Sequence, residues 1–273
     1  MKTVPYFFRA ATALTFAAAA ATAALTPAQA DDTAAQASAA ACTAPAELSR
    51  LVNPLKRVAQ RIASGQPLTI VAIGSSSTFG AGASSPAMSY PSRLEVELRA
   101  LFPRADITVI NRGVNGEESR DMLSRFDRDV FAQNPDLVIW QVGSNSVLRD
   151  RPLAEANKPL RDGLRRLHEA GIDVVLINPQ YAPKVFTRHD VDGMVDLIHV
   201  TAKEANVDLF ERFAVMRYWR LTEDLPFSTF ISPDELHMND WGYGCLAKLL
   251  AGSLHEAATR ATLTATATAG TKR

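Results

Sequence analysis

The sequence has little with which to bind a metal, a nucleic acid or a membrane. It holds two cysteines and five histidines in 273 residues. Cys42 and Cys245 lack the close spacing of a metal-ligand set, and no two histidines stand as H-x-x-x-H. The sequence therefore predicts neither metal chemistry nor a cofactor. Neither sign of charge is in excess, since 29 Lys and Arg balance 29 Asp and Glu. Such a chain has no electrostatic footprint for nucleic acid or an anionic surface, and it suits a neutral or weakly charged substrate. After residue 30 no stretch reaches the ~20 apolar residues of a spanning helix. No internal repeat and no second linker interrupt the chain, so a single domain is expected.

The first thirty residues stand apart. Lys2 and Arg9 precede an Ala-rich apolar run from Ala10 to Leu25, and Ala28-Gln29-Ala30 forms an A-x-A cleavage site. Residues 1–30 read as a secretory signal peptide, the run being short for a membrane anchor. Cleavage leaves 27 basic against 29 acidic groups, a formal charge of −2. The protein is expected to be exported, periplasmic or secreted. Residues 31–45 read as a flexible leader and the Thr/Ala-rich residues 258–273 as a disordered tail. Residues 46–257 then form the folded domain, long enough for a sizeable core.

Export makes a disulfide possible, and one cysteine lies near each end of the domain. Cys42 and Cys245 are expected to clamp the N-terminal segment to the last helix. The alternatives are two buried thiols or a lipid-modified Cys42 with a poor lipobox.

Five short runs rich in Val, Ile and Leu recur: Leu68–Ile73, Ile107–Ile110, Leu137–Val142, Val174–Ile177 and Val207–Phe210. They do not alternate with polar residues, which predicts parallel strands buried on both faces. Helical stripes lie between them, at Leu94/Leu98/Leu101/Phe102, Met122/Leu123/Phe126/Val130, Leu153/Leu160/Leu164/Leu167, Val191 to Ala205, and Leu246/Leu249/Leu250/Leu254. Pro91 suits a first turn, and Gly171 a C-terminal cap. Alternating strand and helix predicts a three-layer α/β/α domain with a five-stranded parallel sheet.

In such folds ligands bind beyond the carboxyl ends of the strands. Three polar turns open there: the serine cluster Ser75-Ser76-Ser77 after the first strand, Asn111 to Gly116 after the second, and Gly143-Ser144-Asn145-Ser146 after the third. Far downstream stand Asp234 and His237. A serine hydroxyl is a weak nucleophile until a base takes its proton, and an acid can orient that base. His237 serves as base and Asp234 as its orienter, although Asp234 also fits a helix cap. The backbone N–H groups of Ser76 and Gly113 and the side-chain amide of Asn145 are the expected oxyanion donors. His168, His199 and His255 sit within helical patterns, and His189, in Arg188-His189-Asp190, is the competing base. Trp140, Met194 and Phe126 read as core, Tyr181-Ala182-Pro183 as a packed loop, and Glu117, Arg112 and Arg120 as possible substrate contacts.

The blocks together resemble the SGNH hydrolases of the GDSL type across most of residues 67–256. Gly74-Ser75-Ser76-Ser77-Thr78-Phe79-Gly80 is similar to that family's G-D-S-x-T-x-G, which selects Ser76 from the cluster as nucleophile. The second-block glycine falls on Gly113, G-x-N-D on Gly143 to Ser146, and D-x-x-H on Asp234 to His237. Asn239-Asp240-Trp241-Gly242-Tyr243 is similar to the N-x-x-G-Y entry into the last helix. Ser75 and Ser146 depart from the pattern by replacing two aspartates. The resemblance implies a flavodoxin-like sheet and a serine esterase acting on small carboxylic esters, with acetyl groups on carbohydrate the expected substrate and lipid or aryl esters as alternatives. An O-acyltransferase using the same triad, or a non-catalytic carbohydrate-binding module, are the rival functions.

Overall fold

The computed structural model describes Met1 and residues 40–270, with side chains as far as residue 260. The signal peptide and most of the leader expected from the sequence lie outside the described residues. Five parallel strands form one sheet: β1 (Leu68–Gly74), β2 (Ile107–Gly113), β3 (Leu137–Gln141), β4 (Asp173–Ile177) and β5 (Asp208–Phe210), in the order β2-β1-β3-β4-β5. Every pairing is parallel, with Gly74 opposite Gly113 and Gln141 opposite Ile177. This is the three-layer α/β/α architecture that the strand and helix periods predict. The chain passes from β1 to β2 on one side and then crosses back past β1 to β3 on the other, so the crevice for a ligand opens at the carboxyl ends of β1 and β3.

The apolar runs become strands because both faces of the central sheet are covered. β3 and most of β1 are wholly buried, and Trp140, Met194 and Phe126 are core. Burial on both faces does not extend to β2, whose residues after Ile107 are mostly half-exposed. As the edge strand it has a neighbour on one side only.

The helices that matter for the site are α1 (Lys56–Ser64), α2 (Ser76–Phe79), α3 (Tyr90–Leu101), α4 (Ser119–Ser124), α5 (Ser144–Leu148), α6 (Leu153–Glu169), α7 (Val191–Glu204), α8 (Arg212–Leu221) and α9 (Asp240–Gly270). The stripe from Met122 to Val130 is not one helix: α4 ends at Ser124 and a separate turn runs Phe126–Asp129.

Both domain boundaries move outward from those the sequence predicts. Cys42 is bonded to Cys245 in α9, and Thr43 carbonyl accepts the Trp219 indole N–H at 2.8 Å. Residues 42–45 are therefore pinned to the domain rather than part of a leader. At the other end α9 runs on to Gly270, Ala258 is buried, and the Arg260 guanidinium donates to the Leu51 carbonyl.

Candidate active site

The turn that carries the candidate nucleophile is built by Ser75. Its backbone is extended, and its carbonyl accepts the N–H groups of Thr78 and Phe79, which starts α2 directly at the end of β1. Ser76 is thus the first helical residue, where a backbone N–H has no intrahelical acceptor. Ser75 and Ser77 are buried, whereas Ser76 is half-exposed. Only the Ser76 hydroxyl meets an imidazole, lying 2.8 Å from His237 Nε2.

The opposing turn, Ser232 to His237, carries both remaining groups. His237 Nδ1 lies 2.5 Å from Asp234 Oδ2. The other carboxylate oxygen, Oδ1, accepts the Ser232 hydroxyl and the backbone N–H groups of Leu236 and His237. Partial burial pushes the Asp234 carboxyl up, but hydrogen bonds from His237, Ser232 and the backbone outweigh it and hold the group well below the usual carboxylate range. Asp234 is therefore a fixed anion that selects the His237 tautomer with hydrogen on Nδ1, leaving Nε2 to accept from Ser76. Glu235 takes the left-handed backbone that closes this turn. Gly82, also left-handed, passes so near that a Cβ there would stand 2.8 Å from the Cβ of His237. The competing base does not reach the site: His189 pairs with Asp190 and is 95% exposed.

The expected oxyanion donors fare differently. The Asn145 amide donates to the Glu117 carbonyl at 2.8 Å with one of its two hydrogens. Gly113 does not offer its N–H, which donates to Asn111 Oδ1 at 2.9 Å. A short amide bonding to the backbone two residues on is a common local turn, and it competes with any role in binding. What Gly113 supplies is room, since a Cβ there would lie 2.0 Å from the Phe79 nitrogen. Of the suggested substrate contacts, Glu117 is ion-paired to Arg125, and the Arg112 carbonyl also accepts from Arg125. Phe79 and Val114 are large apolar side chains left exposed next to the nucleophile helix and the turn after β2.

A buried polar chain runs beneath the site. Gln141 Oε1 accepts the N–H and hydroxyl of Ser75, both at 2.9 Å, while its Nε2 donates to Ser144 Oγ at 3.4 Å. Ser144 donates onward to Gln180 Oε1 at 2.7 Å, and Gln180 Nε2 donates to the Leu236 carbonyl at 3.2 Å. Gln141, Gln180 and Arg212, which also joins this chain, are not singled out by sequence reasoning. The one available signal was a lone amide ending the otherwise apolar strand Leu137–Gln141. A cavity of about 670 Å³ opens at the opposite end of the sheet, beside Arg57, Asp173 and Asp208, and includes none of these groups.

The model of the non-GDSL lipase-like family matches residues 41–260. The chain belongs to this family. The match agrees with the SGNH-type resemblance of the sequence blocks, and the departure at Ser75 now has a physical setting. Ser75 donates to an uncharged glutamine at a fully buried position, where an ionised aspartate would meet the oxygen of Gln141. Ser146 donates to Glu118 at 3.3 Å, so an aspartate there would face a carboxylate. Among curated proteins this non-GDSL lipase-like chain is 41% identical over 56 residues to an acetylxylan esterase of Geobacillus stearothermophilus, covering 20% of this chain and 26% of that one. It is 28% identical over 130 residues to an arylesterase of Vibrio mimicus, covering 45% of this chain and 64% of that one. The matches thus span a quarter and just under two thirds of those relatives. A two-domain esterase active on acetylated mannans superposes with a TM-score of 0.67 at 22% identity, over 77% of this chain and 56% of that one. The structure of the Geobacillus acetylxylan esterase gives 0.56 at 22% identity, over 68% and 94%. These likenesses establish a shared fold. Among the described residues no group of side chains forms a metal site, and no helix is long and apolar enough to cross a membrane.

Proposed function

We propose that this protein is an exported serine esterase that hydrolyses small carboxylic esters, with O-acetyl groups on carbohydrate its physiological targets. The observation that carries this reading is the unbroken line from Ser76 Oγ through His237 to the Asp234 carboxylate. His237 Nε2 takes the Ser76 proton as Oγ attacks the ester carbonyl. Asp234 stabilises the imidazolium that forms. The protonated imidazole then gives its proton to the leaving alcohol, leaving an acyl group on Ser76. Water, activated by the same imidazole, releases the acid and restores the serine.

Charge on the tetrahedral oxygen needs preorganised donors. The Ser76 N–H and the free hydrogen of the Asn145 amide supply two. The third is assigned to Gly116 in place of Gly113. The turn carrying Gly116 is held at one end by Val114 N–H on the Gly74 carbonyl and at the other by Asn145 on Glu117. It therefore lies between the nucleophile strand and the asparagine. Exposed Phe79 and Val114 offer apolar surface to a short acyl or aryl group.

The carbohydrate acetate preference draws support from the acetylxylan and acetylated-mannan esterases that this chain resembles. Export draws on the leader sequence and on the Cys42–Cys245 bond, which suits an oxidising compartment. The test is hydrolysis of p-nitrophenyl acetate and of acetylated xylan and mannan oligosaccharides by the protein and its Ser76→Ala variant. Turnover that falls by at least about 10³-fold in the variant is expected. Equal rates in both would move the nucleophile elsewhere, and no release of acetate from any of these substrates would refute the esterase reading.

A further inference from the structure

Arg212 is fully buried at the first turn of α8. Among the described residues no carboxylate forms an ion pair with it. Its Nε donates to the Asn178 carbonyl and its Nη2 to Gln180 Oε1, both at 2.9 Å, with Ser144 Oγ a further 3.4 Å contact of Nη2. Burial pulls the guanidinium down to about 10, so it remains a cation at neutral pH. A buried, unpaired charge is costly to keep.

Its neighbours show what the charge accomplishes. The Gln180 amide has two faces, and only one orientation points Nε2 at the Leu236 carbonyl, one residue before His237. A donor-only guanidinium against Oε1 forbids the flipped amide. The same group meets the Ser144 oxygen, so that hydroxyl must send its hydrogen to Gln180. Ser144 immediately precedes Asn145 and accepts from Gln141, which in turn accepts from Ser75 beside the nucleophile. One cation therefore sets the polarity of a relay that touches all three loops of the site.

We propose that Arg212 is a positioning residue, which holds the His237 turn, the Asn145 turn and the Ser76 turn in mutual register through Gln180, Ser144 and Gln141. This inference rests on the serine esterase reading above. Arg212 touches neither substrate nor reacting atoms, so its loss should act on the chemical step and leave substrate affinity nearly intact.

The experiment compares kcat and KM for p-nitrophenyl acetate in the wild type, Arg212→Met, Arg212→Lys and Gln180→Glu. Competent sites are counted by covalent labelling of Ser76 with a fluorophosphonate, and folding is followed by circular dichroism. Misplacement by about 1 Å costs on the order of 10² in rate, and this is the fall in kcat expected for Arg212→Met, with KM within about threefold. Arg212→Lys keeps the charge but reaches fewer acceptors, and should recover part of the loss. Gln180→Glu keeps a partner for Arg212, and so keeps the fold, but cannot donate to Leu236. It should lower kcat at least about tenfold without loss of melting temperature, and it decides the matter if Arg212→Met does not fold. Wild-type kcat in folded Arg212→Met or in Gln180→Glu would overturn the inference while leaving the esterase reading standing. A wild type that neither turns over nor labels would overturn both.

Discussion

Replacing Gly113 with alanine separates two roles that one residue could hold. If Gly113 binds the oxyanion through its N–H, alanine retains the donor and activity should survive. The structure gives the N–H to Asn111 and makes the missing side chain the point. An added Cβ would sit 2.0 Å from Phe79 N, 2.6 Å from Phe79 Cα and 2.6 Å from the Thr78 carbonyl carbon, where ordinary contact begins at 3.4 Å. All three are backbone atoms of α2, so no rotamer relieves the clash. Either β2 or α2 must retreat by about 1 Å or more, and β2 is tied to β1 through seven paired positions from Leu68↔Ile107 to Gly74↔Gly113. The movement falls on α2 and carries Ser76 away from His237. A fall in kcat on the order of 10² follows, together with a stability loss of about 1–3 kcal/mol. The assay is p-nitrophenyl acetate turnover per folded molecule, with a urea melt beside it. Gly65→Ala is the control, since Gly65 is left-handed but faces open space. It should lose about 1 kcal/mol and no activity. Wild-type kcat in folded Gly113→Ala would refute this account of the nucleophile turn.

The Cys42–Cys245 bond closes a loop of 203 positions, which corresponds to about 5 kcal/mol in the chain-entropy model. Reduction, or Cys42→Ser, should lower urea stability by roughly 2–5 kcal/mol while leaving activity at 25 °C intact. A change below about 1 kcal/mol would show that the entropic argument fails here. Asp173 gives a pH signature. Burial pushes its carboxyl up to about 6, against backbone N–H donors from Val58 and Arg57. An unfolded aspartate titrates near about 3.9, so the folded state holds the proton more tightly. Its contribution is fully present below about pH 4 and is lost as pH rises through about 6, a swing of up to about 3 kcal/mol. Asp173→Asn lacks that titration, so its stability relative to wild type should rise between pH 4 and pH 7 in urea melts. Parallel pH curves for the two proteins would contradict it.

The central strands were legible because burial on both faces leaves an unbroken apolar run, as in Ile70 to Ile73 and Leu137 to Trp140. Helix α1 was not, because Lys56 to Ser64 is only nine residues long and buries only Val58 and Ala59. Helix α8 was obscured by Arg212, a charge standing at an inward position. At the site, Ser76, Asp234 and His237 lie in local motifs, and the structure brings them within hydrogen-bond reach. The Gly113 N–H, expected as a donor, already has an acceptor in the side chain of Asn111 two residues earlier. Gln141, Gln180 and Arg212 stayed hidden for a different reason: each reaches a key partner 30 or more positions away, and no spacing rule connects them.

The segment leading into the long final helix α9 has a consequence for the order in which the site can be completed. Asp240 accepts both the N–H and the hydroxyl of Ser84, and Tyr243 donates to the Ala81 carbonyl. These contacts tether the loop that follows α2, and His237 itself is 161 positions from Ser76. On the proposed mechanism, a chain that ends before Asp234 carries the Ser76 turn without its base, its orienting acid or the strap from Asp240 and Tyr243, so competence comes only when the segment from Asp234 to Tyr243 docks.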